Sequence, residues 1–215
     1  ALKKNISRDK VVLASKVYFN PGRLSKEAIY REIDGTLQRL ETDYLDLYLI
    51  HWPGDNAFQD AWRALETLYK QGKIKAIGVS NFQIHHLQTL AEFAEITPVI
   101  NQIETHPQLS QLEMREYAAK HDIKVQAWSP LMQGKILDNA VLAKIAQKYN
   151  KSVAQIVLRW DVQQNILLVV KSVRAERMLS NAQIFDFELA PEDVDQINAL
   201  NENLRVGPNP DEFDF

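Results

Sequence analysis

Six short apolar runs, with helix signals between them at intervals of roughly 30 residues, predict an α/β fold: a parallel (β/α)8 TIM barrel, here lacking about the first two βα units. The runs are Val11-Val12-Leu13-Ala14, Leu45 to Ile50, Ile74 to Val79, Val99-Ile100, Val125-Gln126-Ala127 and Ile166 to Val170. Each leads into polar residues suited to chemistry: Ser15-Lys16, His51-Trp52, Ser80-Asn81, Asn101-Gln102, Trp128-Ser129 and Lys171-Ser172. In a parallel barrel the C-terminal strand ends carry the active site. The pattern points to an enzyme.

The helices follow from spacing and caps. Ser25 caps a helix whose apolar face is Ile29, Ile33, Leu37 and Leu40. Phe58, Trp62, Leu65 and Leu68 form the next stripe, closed by Gly72. A third helix follows Asn81 through Leu87, Leu90 and Phe93, and Ser110 with Glu113 makes a capping box ahead of Leu112, Tyr117 and Ala118. Leu142, Ile145 and Tyr149 mark another helix, and Ser152 caps one through Ile156 and Trp160. A helix from near Glu176 to Gln183 comes next, and Pro191 opens a last one through Val194, Ile197 and Leu200.

Without a linker or a break in composition, residues 1–215 are expected to form a single domain. A closed barrel needs eight strands, and six are found. Ala1-Leu2-Lys3-Lys4 reads as the end of a helix, so about two strand–helix units are expected upstream.

Composition narrows the function. Lys+Arg of 25 against Asp+Glu of 28 leaves a net charge of -3, which gives no broad basic footprint for nucleic acid or an anionic membrane. Zero cysteines exclude disulfides, thiolate catalysis and cysteine-ligated zinc. No apolar run approaches the ~20 residues that span a bilayer, and a cytoplasmic monomer is expected. The five histidines lack a metal-ligand spacing, and His85-His86 are expected to point different ways on a helix, so no metal site is expected. Seven glycines contain no Gly-x-Gly-x-x-Gly, which excludes a Rossmann dinucleotide site.

Individually the strand-end residues have two readings each. His51 is either a hydrogen-bonded core histidine or a rim group. Lys16, immediately after an apolar run, needs an anionic partner or a reaction to serve. Trp128 is either barrel packing or a flat face for a planar ring. Ser80, Asn81 and Gln102 suit neutral polar recognition, with a helix cap as the alternative for Asn81. Lys171, Ser172 and Arg177 at a helix start form either an anion pocket or a solvated face.

Taken in order, Ser15-Lys16, Asp43 to Pro53, Gly78-Val79-Ser80-Asn81-Phe82, Asn101 to Glu104, Trp128-Ser129-Pro130-Leu131, Lys171-Ser172-Val173 with Arg177 and Asn181, and Phe185 to Leu189 resemble the aldo-keto reductases. Trp128 at the stacking position is similar to bacterial members of the 2,5-diketo-D-gluconate reductase kind. The resemblance implies NADPH-dependent reduction of aldehydes, ketones or keto-sugars to alcohols. It makes Lys16 and His51 catalytic and puts Trp52 in the substrate pocket. Ser80, Asn81 and Gln102 would hold the nicotinamide carboxamide, and Trp128 would stack on its ring. Ser129 and Leu131 would lie along the pyrophosphate. Lys171, Ser172, Val173, Arg177 and Asn181 would hold the adenosine 2′-phosphate and adenine of NADPH or NADP+.

The chain departs from the family pattern at Met132, where glycine is usual, at Val170, where proline is frequent, and at Ser180, where an acid is frequent. The family's catalytic aspartate and tyrosine are expected before Ala1, and residues 1–215 by themselves are expected to lack appreciable reductase activity. Lys16 would lower the pKa of that tyrosine toward a working range. Two alternatives stand beside reduction: a non-catalytic NADPH-binding regulatory barrel, and a Schiff-base lyase using Lys16.

Overall fold

A computed structural model describes residues 5–18, 24–54 and 58–213. The chain divides into two compact units, Ala1–Asn101 with Pro210–Phe215, and Gln102–Asn209. The expected helix end at residues 1–4 lies outside the described residues.

In the first unit, β1 (Ala14–Val17), α1 (Lys26–Leu40), β2 (Leu47–Ile50), α2 (Phe58–Lys70), β3 (Ile77–Ser80) and α3 (Ile84–Ala91) alternate along the chain. Strand β4 (Ile100–Glu104) begins in this unit and ends in the second. β1 pairs with β2, and β2 with β3, in parallel. The register sets Lys16 opposite Leu49 and Val17 opposite Ile50. Ser25 caps α1 by accepting the Ala28 N–H at 3.3 Å, and Ile29 and Ile33 on its apolar stripe are fully buried. Phe58, Trp62 and Leu65 of α2 are likewise fully buried. The turn after α2 passes through Gly72 at φ +75°, a conformation that glycine adopts without strain.

The second unit holds α4 (Leu112–Lys120), β5 (Lys124–Trp128), a kinked 3-10 segment at Met132–Asp138, α5 (Ala140–Tyr149) and α6 (Val153–Gln163). It continues with β6 (Leu167–Leu168), α7 (Ala175–Ala182) and α8 (Pro191–Asn198). β5 and β6 pair in parallel. Asn139 caps α5 through the Val141 and Leu142 N–H groups. Ser152 and Gln155 close a reciprocal capping box at α6. Met132, Ile136, Leu142, Ile145, Ile156, Trp160, Leu189 and Ile197 pack into one core cluster. These parallel strands alternating with helices give the α/β class read from the sequence.

Three local expectations are corrected. β1 starts at Ala14, not at Val11, and Val12 is 80% exposed. The Leu13 N–H is taken by the Asp46 carboxylate at 2.9 Å rather than by a neighbouring strand, and Asp46 is itself clamped by Arg8 at 2.7 Å. Ser15 and Lys16 therefore lie within the strand, as Asn101 and Gln102 do in β4. Second, the capping box at Ser110 does not form: α4 begins after Gln111, which sits at φ 52° without a side-chain cap, while the Ser110 N–H donates to Asn201 Oδ1 at 2.9 Å. Third, Asn81 does not cap α3, which starts after Gln83.

Met132, at the position where the sequence departs from glycine, sits at φ 49° and is 1% exposed. The left-handed backbone costs a non-glycine residue about 1–2 kcal/mol, whereas truncating a buried methionine costs about 2–5 kcal/mol. Packing outweighs strain. Met132→Gly is expected to lower unfolding free energy by roughly 1–3 kcal/mol despite relaxing the backbone, and urea denaturation of both proteins checks it. A more stable variant would show that the strain dominates.

Candidate active site

In the first unit the parallel register brings Lys16 and His51 to one face. Aligned residues of paired strands share a face and alternate residues return to it, so Lys16, Leu49 and His51 point the same way, and Tyr48 the other. The His51 N–H donates to the Val17 carbonyl at 3.1 Å. Both side chains are half-buried. Burial pulls the Lys16 ammonium down to about 8 from 10.5. Burial first, then the nearby Lys16 charge, pulls His51 down to about 4. His51 is therefore neutral at pH 7, and its ring meets Tyr18 edge-on at 5.6 Å.

Tyr48 is pushed up to about 12 by burial, and its hydroxyl interacts with Thr36 of α1. It is unfit to release a proton near neutral pH. Trp52 is 7% exposed and packs against Phe213, with ring centroids 4.6 Å apart. Phe213 escapes sequence reasoning, because nothing local marks it as an aromatic partner.

Ser80 and Asn81 are buried at the end of β3. The Asn81 amide donates to the His51 carbonyl at 3.0 Å and to Ser80 Oγ at 3.2 Å, and Asn81 takes φ 62°, a region that asparagine tolerates better than most residues. Asn101 closes a two-way bridge with the Phe82 backbone, accepting its N–H at 3.4 Å and donating to its carbonyl at 2.8 Å.

His85, His86 and Asp211 each bring one ligand atom within 4.8 Å of the others. The two histidine rings are 3.9 Å apart, which corrects the expectation that they diverge. Nδ1 of His86 accepts the Gln83 N–H at 3.0 Å, so the neutral ring carries its proton on the other nitrogen and offers a cation no lone pair while that bond stands. The start of α3 also opposes positive charge.

In the second unit, Gln102 is 6% exposed and its amide donates to Gln126 Oε1 at 2.6 Å. Trp128, Ser129 and Leu131 are half-buried, with Ser129 at φ 52°. The chain crosses the Trp128 ring at Gly207, where an added Cβ would lie 2.3 Å from Cη2. Beside it, Glu104 and His106 are fully buried partners at 3.1 Å. Glu104 falls in a segment that carries the family resemblance, but sequence reasoning assigned it no task. A lone acid closing the run Ile100 to Glu104 was the available signal.

Lys171, Val173 and Arg177 are exposed, and Ser172 and Asn181 half-buried. Ser172 Oγ accepts the Arg174 N–H at 3.2 Å just before α7. Arg177 is the third residue of that helix, and none of the helix is buried. The cations thus stand at a helix start, where backbone N–H groups favour an anion.

Residues 1–202 match the Aldo/keto reductase family. The chain is 54% identical over 210 residues to a glyoxal reductase of Bacillus subtilis, covering 98% of this chain and 75% of that protein. It is 39% identical over 213 residues to methylglyoxal reductase DkgA of Salmonella typhimurium, covering 97% and 76%. Among solved structures, a Gox0644 variant in complex with NADPH superposes with a TM-score of 0.93 at 34% identity, covering 97% of this chain and 77% of that one. The chain belongs to the aldo/keto reductase family.

The two depressed pKa values act in separate pH windows with the same sign in stability. Charged Lys16 is disfavoured in the fold, so stability rises as pH climbs from about 8 toward 10.5. Charged His51 is disfavoured too, so stability falls as pH drops from 6.5 through about 4. An NMR titration of the lysine side chains should show one lysine with a midpoint near 8, absent from Lys16→Met. A Lys16 midpoint at the ordinary 10.5 would contradict the burial described.

Proposed function

We propose that this chain catalyses the NADPH-dependent reduction of small aldehydes and ketones to alcohols on a (β/α)8 barrel, acting as one functional domain. Dicarbonyls the size of glyoxal and methylglyoxal are the first substrate class, with keto-sugars behind them. The carrying observation is a neutral imidazole, His51, on the same strand face as a half-buried ammonium, Lys16. Family membership and the named activities of the two relatives support the reading.

The residues fit the cofactor by chemistry. Buried neutral donors and acceptors on Ser80, Asn81 and Gln102 suit an uncharged carboxamide. The half-buried Trp128 offers a flat face to nicotinamide, with Ser129 and Leu131 along the pyrophosphate. Exposed Lys171 and Arg177, with Ser172, suit a phosphate dianion, and Val173 and Asn181 suit the adenine. When bound, NADPH supplies a hydride for the carbonyl carbon.

His51 donates its N–H to the carbonyl oxygen and orients it. Its neutrality at pH 7 suits it to this task rather than to full protonation of the product. Lys16 sets positive charge against the negative charge that grows on that oxygen. The same charge favours the ionised form of the acid that hands over the proton, a tyrosine by the family resemblance. Tyr48 is not that acid. Trp52, backed by Phe213, gives the substrate an apolar wall.

A second reading has one observation in its favour. An amine with a pKa near 8 is a competent nucleophile, as a Schiff-base lyase requires. Borohydride trapping of a carbonyl on Lys16 without cofactor oxidation would favour it over reduction.

Two measurements test the proposal. With the proton-donating tyrosine that the family resemblance implies in place, methylglyoxal should cause loss of NADPH absorbance, and Lys16→Met and His51→Ala should each slow turnover by ~100-fold or more. Arg177→Ala should weaken NADPH about ten- to a hundred-fold, through loss of one charge-assisted hydrogen bond, and leave NADH nearly unchanged. Equal losses for both cofactors would refute the phosphate assignment.

A further inference from the structure

Glu104 ends β4 with its side chain wholly buried, and the proposed reduction gives it no task. Its Oε1 accepts the Val206 N–H at 2.7 Å and the Gly207 N–H at 3.3 Å, and meets His106 Nε2 at 3.1 Å. Its Oε2 accepts from Gly207 at 3.2 Å and faces the Arg205 guanidinium at 4.0 Å. Three consecutive residues, 205–207, thus converge on one carboxylate. A buried carboxylate persists only with such partners, and losing its charge would weaken its hold on the two backbone donors.

The same segment lies against Trp128. A Cβ at Gly207 would fall 2.3 Å and 3.0 Å from two carbons of the indole and 3.3 Å from Glu104 Oε2. Only glycine passes between the ring and the carboxylate. Upstream, the Glu202 and Leu204 N–H groups donate to the Gln108 carbonyl at 3.1 and 3.0 Å, which fixes the approach of the strap.

We propose that Arg205–Gly207 is a strap latched to Glu104 that fixes the Trp128 indole, making Glu104 a positioning residue for nicotinamide binding. The positioning role rests on the assignment of Trp128 to the nicotinamide. The latch itself does not, since it is read within the second unit without cofactor.

Two variants separate these. Glu104→Gln removes the charge at constant size, and Gly207→Ala inserts the forbidden Cβ while leaving the carboxylate intact. Leu204→Ala, on a half-exposed strap residue outside the latch, is the control. In the apo protein, the Trp128 contribution to near-UV circular dichroism, isolated by difference against Trp128→Phe, should change in both variants and not in the control. With NADPH, both should show Kd raised about tenfold and a reduced share of Trp128 quenching, while the KM for the carbonyl stays near its wild-type value. Should Glu104→Gln fail to fold, Gly207→Ala carries the test alone. An unchanged Trp128 signal and unchanged Kd in folded Gly207→Ala overturn the strap's role and leave the stacking assignment standing. A changed apo signal with unchanged Kd overturns the positioning role alone. NADPH quenching in the wild type that survives Trp128→Phe overturns the stacking assignment, and the positioning role with it.

Discussion

Pairing Val17 with Ile50 in parallel decides which side chains of the first unit can act together. Because strand side chains alternate, a slip of one residue would turn His51 to the other face and bring Ile50 or Trp52 round in its place. The register is held at both ends of β1. Asp46, clamped by Arg8, takes the Leu13 N–H before the strand begins, and the Val17 carbonyl takes the His51 N–H where it finishes. The depressed Lys16 and His51 pKa values are downstream of this alignment. Burial alone depresses Lys16, and burial with the Lys16 charge depresses His51.

Two buried acids of the second unit show how surroundings decide charge. Burial opposes ionisation of Glu104, yet hydrogen bonds from His106, Val206 and Gly207 outweigh it and hold its pKa below the usual carboxylate value. Asp161 is buried as completely, and neither of its carboxylate oxygens has a hydrogen-bond partner among the described residues. Burial raises its pKa well above the ordinary value, with Arg115 opposing only in part. Hydrogen bonds favour the ionised form of the first acid, and burial favours the neutral form of the second.

The order of strands and helices was legible because it depends on local periodicity and caps, and Ser25, Ser152 and Pro191 act as their residue types predict. Strand starts were less legible. Where a run such as Val11 to Ala14 enters the sheet depends on a distant carboxylate, Asp46, and periodicity carries no trace of it. The capping box at Ser110 failed for a similar reason: a distant asparagine took the Ser110 N–H that Glu113 would accept in the motif. In the candidate site, the residues at strand ends could be named from sequence, but Glu104, Gly207 and Phe213 could not be given tasks. Their contacts join positions about a hundred or more residues apart, or lie at the end of the chain.

Helix α7 is eight residues long and buries none of them. A helix that short does not sustain itself in water, and it keeps little apolar packing in reserve. It is tied down chiefly at its far end, where the Gln155 amide donates to the carbonyls of Ser180 and Gln183. Segments with so few buried contacts open at small free energy, and their amide protons exchange early. Arg177 therefore sits where the second unit opens at small cost, and under the proposed function an anion captured there would also order the helix. Some of the enthalpy released on meeting an anion there is offset by lost chain entropy, so affinity at this helix should be more sensitive to temperature than affinity at a rigid strand end.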